Sequence, residues 1–426
     1  MKRLLTVLLG VCLSLAALAS PSYRYVDGDV ASDGDGLSWA TAWKNPGHVS
    51  SMNVPGRVQY IKASNYIYPN LFLQNLTGTS AEHIQFIGVP GPRGWRPYVV
   101  QSASGQTGGA YWPTNLHYVD VTNIDAYNPP STNPNGSCFF IGSTGGAATV
   151  DHITLGLPWP DDTGVNVKGF SAIGCGALGV QAEYADYITV ANGYVANNGS
   201  TVTSASPSGI SLLSFCGSDN STSYHNYILN NVVYGEASTT GSTVPSDYNG
   251  IIIDDMDNYQ SAVCGHTSYP YGTLIQGNLV FGNQGKGIHV WATNADLTKG
   301  PGIVVDHNTG YLNCQLLNTP CSVNDGDFDA LGASGHYTSG VTFTNNTIYA
   351  PYYAIRVQGL VPTTGVASAN CNTEYGAVGS KTANWDNSGT FTNTSYIAVD
   401  PLLMAPSTAP AGADFRPSLA SPQPSC

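Results

Sequence analysis

Two short motifs recur in the same order along the middle of this chain, and this repetition constrains the fold more than any other feature. The first is an apolar strand, an asparagine and a second short strand, as in "YILNNVVYGE" (227–236). The second begins near a glycine and has apolar residues at alternate positions, as in "NGIIID" (249–254) and "KGIHVW" (286–291). Repeats of about 20 to 50 residues are typical of solenoids, in which each coil packs on the next.

One asparagine recurs within the first motif at steps of 39, 47, 30 and 38 residues. Like positions of a parallel β-helix stack about 4.8 Å apart, so inward amides can hydrogen-bond to their copies in neighbouring coils. We therefore predict a right-handed parallel β-helix. Turn asparagines in a β-sandwich would not explain why two motifs recur in one order. The predicted ladder consists of Asn192, Asn231, Asn278, Asn308 and Asn346.

The composition agrees with an all-β fold. The chain has 49 glycines and 26 tyrosines, whereas charged residues make up only 10%. Short apolar runs alternate with clusters of Gly, Asn, Ser and Asp, a pattern of strands and turns. The steps exceed a minimal coil, so we expect long loops on one side of the solenoid that form the walls of a groove.

The first 20 residues have a basic start, an apolar stretch and small residues, which is typical of a secretory signal peptide. We expect residues 21–426 to form a single secreted domain, monomeric, with an N-terminal cap and a Pro/Ser/Ala-rich C-terminal tail. Without Lys2 and Arg3, the mature chain carries 12 Lys and Arg against 27 Asp and Glu, a net charge of −15. This charge disfavours nucleic acids and anionic membranes as partners.

Eight cysteines remain after the signal peptide, and an even number in an exported chain favours disulfides. Cys314 and Cys321 are close enough to staple one loop, and Cys371 and Cys426 could tie down the tail. The chain has no Cys/His spacing typical of zinc sites.

Aligning the glycines of the second motif stacks its residues into columns, and alternate residues face outward. One outward column reads Gln181, Ser211, Ile252, His289, Asp329 and Arg356. The neighbouring column reads Glu183, Leu213, Asp254, Trp291, Leu331 and Gln358. Imidazole, carboxylate, guanidinium and indole groups together on one face of a chain with few charges indicate a functional surface.

Asp254, Asp255 and Asp257 follow directly after a buried strand. Three carboxylates within four residues suit Ca²⁺, which takes about 6–8 oxygen ligands. They also suit an acid/base pair in which one carboxylate keeps its neighbour protonated. A solvated turn is the remaining interpretation.

"IIIDDMDN" followed by "LVFGNQGKGIHV" resembles the family 9 polysaccharide lyases, and "VDGDVASDGDGLSWATAW" (26–43) resembles the opening of many secreted β-helix proteins that act on polysaccharides. The resemblance implies that Asp254, Asp255 and Asp257 bind Ca²⁺. His289 falls where the family has its catalytic lysine.

β-Elimination from an acidic polysaccharide removes the proton α to a uronate carboxylate, once that charge is neutralised. We predict His289 as the base, Lys286 as the alternative base, and Arg356 as the partner of the carboxylate or oxyanion. Trp291, Asp329 and Tyr259 are the predicted substrate-binding residues.

Two other functions fit the sequence. The order of an aspartate pair, "KGIHV" and "AIRVQ" is similar to that of polygalacturonase-type glycoside hydrolases, in which the aspartates would be the acid/base residues. Alternatively, the chain is a non-catalytic adhesin or glycan-binding β-helix, in which Trp291, Tyr259, Tyr269 and Tyr271 stack on sugars.

Overall fold

Successive coils of the solenoid place strands on three faces, and each strand pairs in parallel with the strand one coil away. The right-handed parallel β-helix predicted from the repeats is thereby confirmed. The computed structural model describes residues 22–92, 94–101, 108–131, 133–143, 149–156, 169–200, 202, 207–238, 247–256, 261–265, 268–293, 299–314, 321, 323–333, 335–376, 383–385, 389–408 and 413–417. The predicted signal peptide lies outside these residues.

The first face carries the motif that begins near a glycine. Its strands are β4 (Leu71–Thr77), the first half of β7 (Gly108–Thr122), β9 (Ser137–Gly142), β12 (Val180–Glu183), β15 (Ser208–Leu213), β18 (Asn249–Asp254), β21 (Ile288–Trp291), β24 (Gly326–Leu331), β27 (Tyr353–Gln358) and β30 (Ala383–Trp385).

The second and third faces follow in each coil. The second contains β1 (Tyr23–Asp27), β2 (Val58–Lys62), β5 (Ile84–Val89), the second half of β7, β10 (Val150–Leu155), β13 (Asp186–Ala191), β16 (Tyr224–Leu229), β19 (Gly272–Gln276), β22 (Ile303–Asp306), β25 (Val341–Thr344), β28 (Val366–Asn370) and β31 (Thr390–Thr394). The third contains β3 (Tyr68–Pro69), β6 (Tyr98–Val100), β8 (Ile124–Tyr127), β11 (Phe170–Ile173), β14 (Gly193–Ala196), β17 (Val232–Tyr234), β20 (Leu279–Phe281), β23 (Thr309–Tyr311), β26 (Thr347–Ala350) and β29 (Thr373–Gly376).

The core fills the inside of the coils. Ile210, Ile251, Ile288, Phe328 and Ile355 form one stacked row, and all are completely buried. Burial of each such side chain contributes about 1.5–3 kcal/mol. The one α-helix among the described residues is the single turn α1 (Ser261–Cys264), and 3₁₀ turns occur at Trp39–Thr41 and Val49–Met52. The described helices are too short to cross a membrane.

An asparagine ladder runs through the bend between the second and third faces. The Nδ2 of each amide donates to Oδ1 of the next, at 3.0 Å from Asn231 to Asn278 and 2.9 Å from Asn278 to Asn308. The same bonds join Asn308 to Asn346 and Asn346 to Asn372. The ladder therefore extends one coil beyond the predicted residues.

Asn192 is a correction to the predicted ladder. It lies one residue before the ladder position, which Gly193 occupies, and the Gly193 N–H donates to Asn231 Oδ1 at 2.8 Å. Asn192 has a φ of 56° and matches Asn230, with a φ of 54°. Asparagine tolerates this left-handed conformation, so two adjacent positions favour the same residue for different reasons.

A second buried ladder, not predicted from the sequence, runs through the bend between the third and first faces. It links Asn198, Glu236, Asn283, Asn313 and Asp327. The Glu236 backbone N–H donates to Asn283 Oδ1, and the other links join side chains. Two of its members are carboxyl groups, and burial raises the pKa of Glu236 to about 8 and that of Asp327 to about 7.

Disulfides and the tail secure the solenoid. Cys314–Cys321 is formed as predicted, with Cys138–Cys175 and Cys216–Cys264 in addition. Cys371 is also disulfide-bonded, whereas Cys426 lies outside the described residues. The tail forms an antiparallel pair, β32 (Leu403–Ala405) and β33 (Asp414–Pro417). Phe415 packs on Phe281 with ring centroids 4.7 Å apart, so the tail runs back over the third face.

Candidate functional site

The outward surface of the first face brings together most of the predicted site residues. The register pairs Ile252 with His289, His289 with Asp329 and Asp329 with Arg356. The outward column predicted from the sequence therefore exists. We call the outward surface of the strands from β12 to β27 the groove floor, after the groove that the sequence predicts.

His289 and Asp329 lie deep in the groove floor, with exposed fractions of 5% and 0%. Asp329 Oδ1 accepts the Gly326 N–H at 2.9 Å. Neither ring nitrogen of His289, nor Asp329 Oδ2, has a hydrogen-bond partner among the described residues. Burial, reinforced by Lys286 and Arg356, lowers the pKa of His289 well below its usual value, whereas burial raises the pKa of Asp329 to about 7.

The two cations of the site differ in their surroundings. Lys286 precedes β21 and is buried, which lowers the pKa of its amine, although Asp329 and Asp247 oppose this shift. Arg356 is half-buried and forms an ion pair with Asp325 while donating to Gln358. Asp325, the ion-pair partner of Arg356, was not identified from the sequence, because it lies in a loop outside the repeated motifs.

Asp254 and Asp255 form an acidic corner at the end of β18, beside Trp291. Burial and repulsion from Asp255 and Asp247 raise the pKa of Asp254 well above its usual value. Burial also raises the pKa of Asp255 to about 6, although His336 and a hydrogen bond with Trp291 oppose this shift. Asp257 and Tyr259 lie outside the described residues.

The acidic corner is fixed by the neighbouring coil. Asp255 adopts a left-handed φ of 51° where the chain leaves the strand. Ser214 donates from its backbone N–H to the Asp254 carbonyl at 3.0 Å and from its hydroxyl to the Asp255 carbonyl at 3.3 Å. The Cys216–Cys264 disulfide ties together the loops that follow these two strands.

The donor set at the acidic corner suits a hard cation in chemical type but is incomplete among the described residues. Asp254 and Asp255 supply carboxylate oxygens, the ligands that Ca²⁺ prefers. Within the described ranges, no three His, Cys, Asp or Glu side chains are grouped as metal ligands. A cation at this corner would therefore also need oxygens from elsewhere.

Glu183 is a further groove-floor residue, which the sequence placed in the outward column without indicating a function. The register pairs Glu183 with Leu213 and Leu213 with Asp254. Burial alone raises the pKa of Glu183 to about 7. The signal available in the sequence was its column position, because no charged residue lies next to it in the chain.

No family model and no curated protein sequence is significantly similar to this chain. Its structural neighbours include an alginate lyase from Paenibacillus sp. str. FPU-7, at 14% identity and a TM-score of 0.44, over 82% of this chain and 95% of that one. The pectate lyase Pel9A has 13% identity and a TM-score of 0.46, over 95% and 91%.

A third neighbour is a GH136 lacto-N-biosidase from Eubacterium ramulus, at 13% identity and a TM-score of 0.47, over 88% of this chain and 67% of that one. These neighbours are β-helix proteins that act on carbohydrates.

Proposed function

We propose that the protein is a secreted enzyme that cleaves a uronic-acid polysaccharide by β-elimination, assisted by Ca²⁺. The observation that supports this most is the position of two candidate bases with lowered pKa values. His289 lies in the strand that pairs with β18, which carries the acidic corner, and Lys286 directly precedes that strand. Arg356 lies two strands further along the outward column. The three disulfides of the fold support secretion, because disulfides persist mainly in oxidising environments outside the cytosol.

His289 is the first candidate base. Its lowered pKa keeps the imidazole neutral at neutral pH, so a nitrogen can accept the proton α to the uronate carboxylate. Both nitrogens are buried, so they can reach the substrate only after neighbouring side chains move as the polymer binds. Lys286 is the second candidate, because an amine with a lowered pKa can also act as a base.

Arg356 and the acidic corner are the groups that we propose neutralise the carboxylate of the substrate. Arg356 can exchange Asp325 for a substrate carboxylate, since guanidinium groups bind carboxylates in a bidentate manner. Asp254 and Asp255, with Asp257 as the proposed third carboxylate, would hold Ca²⁺. When bound there, Ca²⁺ would neutralise the uronate carboxylate and make the adjacent proton more acidic.

The test is an assay for the unsaturated product on several uronate polymers, by ultraviolet absorbance, with calcium and then with a chelator. The product should form with calcium and disappear with the chelator. Asp255→Asn should raise the calcium concentration needed, whereas Glu82→Gln, which changes an exposed carboxylate far from the groove, should not. Absence of unsaturated product on every polymer would rule out the lyase.

Hydrolysis is the second candidate function, and the observation that favours it is the pair Glu183 and Asp254. Both are partly exposed carboxyls with raised pKa values on one column. Two inter-strand spacings separate their backbones by about 10 Å, and inverting hydrolases need carboxyl groups about 6.5–9.5 Å apart. Release of reducing ends without unsaturated product would identify this activity, and binding without either product would identify a glycan-binding module.

A further inference from the structure

Glu183 ends β12 on the groove floor, two coils before the acidic corner. Because Leu213 pairs with both Glu183 and Asp254, all three side chains face outward in one column. Each of them is partly exposed. A polymer that lies along this column with one unit at Asp254 therefore continues over Leu213 and Glu183.

A chain of hydrogen bonds holds the Glu183 carboxyl in place. The buried Ser137 hydroxyl donates to Gln181 Oε1 at 2.9 Å, which fixes the orientation of the Gln181 amide. Gln181 Nε2 then donates to Glu183 Oε2 at 3.3 Å. Because the hydrogen bond from Gln181 goes to Oε2, Glu183 Oε1 is the oxygen that remains for a ligand.

The packing of the fold does not require this carboxyl. Burial is the cause of its raised pKa, and no described cation offsets that burial. Desolvating a carboxyl that has no cation beside it costs free energy. Leu213 occupies the same position one coil further on, so the column accepts an apolar side chain.

We propose that Glu183 and Leu213 form a sugar-binding subsite beyond the acidic corner, which holds a neutral sugar unit through its hydroxyl groups. A hydroxyl can donate to Glu183 Oε1 while Leu213 packs on the C–H surface of the sugar. A uronate carboxylate would meet Glu183 with no nearby described cation, so repulsion disfavours it there. This subsite rests on the proposed lyase function and specifies a substrate in which uronate and neutral units are both present.

The test is isothermal titration calorimetry with oligosaccharides of two lengths, the longer of which reaches from Asp254 to Glu183 and ends in a neutral unit. At a pH well above 7, where the Glu183 carboxyl is ionised, Glu183→Leu should weaken binding of the longer ligand about tenfold, the cost of one hydrogen bond to a charged group. It should leave the shorter ligand unchanged. Glu183→Gln should bind an all-uronate ligand more tightly than the wild type does, and Glu82→Gln should match the wild type throughout.

Equal wild-type and Glu183→Leu affinities for the longer ligand would overturn the subsite, and so would an equal loss at both lengths. If the wild type releases unsaturated product but shows neither effect, only the subsite fails. If the wild type binds no oligosaccharide, the proposed function fails with it. Loss of all reducing-end release in Glu183→Gln would instead make Glu183 a catalytic carboxyl of the hydrolase. Should Glu183→Leu misfold, Glu183→Gln on the all-uronate ligand decides the question.

Discussion

The inward asparagine ladder and the outward column of the groove floor are produced by the same stacking of coils, yet their side chains are used in opposite ways. The ladder repeats one amide, and each amide both donates and accepts between coils. The outward column changes its residue at every coil, and His289 and Asp329 keep buried atoms with no partner among the described residues.

This difference separates stability from function. A buried polar group stabilises a fold only when it is hydrogen-bonded. The amides of the asparagine ladder meet this condition, so their role is to stabilise the fold. Buried groups without partners cost stability, and such groups occur where a site needs them. Variants in the two regions should therefore change different measurements.

The largest effect on stability is expected from Asn278→Leu. This change removes the acceptor of the Asn231 amide and the donors to Ile228 O and Asn308 Oδ1. Leaving these buried groups unpaired should lower the free energy of unfolding by about 4 kcal/mol. Denaturant unfolding measures this change in the free energy of unfolding. The control is Asn370→Leu at an exposed position, which should change it by no more than about 0.5 kcal/mol. Equal losses of stability in both variants would show that the ladder hydrogen bonds stabilise the fold no more than an exposed asparagine does.

His289→Leu should lower activity and leave stability intact, the reverse of what is expected for Asn278→Leu. Loss of a general base should lower the rate of unsaturated-product formation by about 10²–10⁴-fold. Stability should stay the same or rise slightly, because a buried imidazole without described partners is replaced by an apolar side chain. Paired rate and unfolding measurements check this. A loss of stability similar to that of Asn278→Leu, with normal activity, would place His289 among the structural residues.

Glu236→Gln tests the ladder that contains carboxyl groups. The pKa of Glu236 is raised to about 8 in the folded protein, so its contribution to stability is full below the usual pKa near 4.5 and is lost as pH rises through 8. Glutamine does not titrate, so the variant should gain about 2 kcal/mol relative to the wild type between pH 6 and pH 8. A constant difference across this range would contradict the raised pKa, and Glu82→Gln provides the flat control.

The smallest effect is expected at His83, a half-exposed outer histidine that, unlike His289, has a hydrogen-bond partner among the described residues. Its Nδ1 lies 3.0 Å from Asp120, and this hydrogen bond raises the pKa of His83. The pair is therefore fully stabilising below pH of about 6.5 and loses this contribution as pH rises through the raised pKa. His83→Asn should cost about 0.5–1 kcal/mol at acidic pH and little at alkaline pH. A loss of equal size at both pH values would mean that packing, not charge, carries the contact.

Much of the fold and of the outward column could be predicted because equivalent positions of successive repeats become neighbours in space in a solenoid. Once the glycines are aligned, alternation decides which side chains face outward, and this placed Asp254, Trp291, His289 and Arg356 on one surface. The same reasoning failed at Asn192, because a left-handed bend residue and a ladder residue stand next to each other and both favour asparagine.

The sequence by itself determined the class of fold, the outward column and most of the asparagine ladder, since these depend on local alternation and on spacing between coils. Only the tertiary structure decided which groups are buried and which partners they have. Arg356 pairs with Asp325, Glu236 joins an amide ladder, and Glu183 is held by Gln181. These pairings depend on where each loop packs against the solenoid and on how much water each site excludes. The spacing of the repeats encodes neither of them.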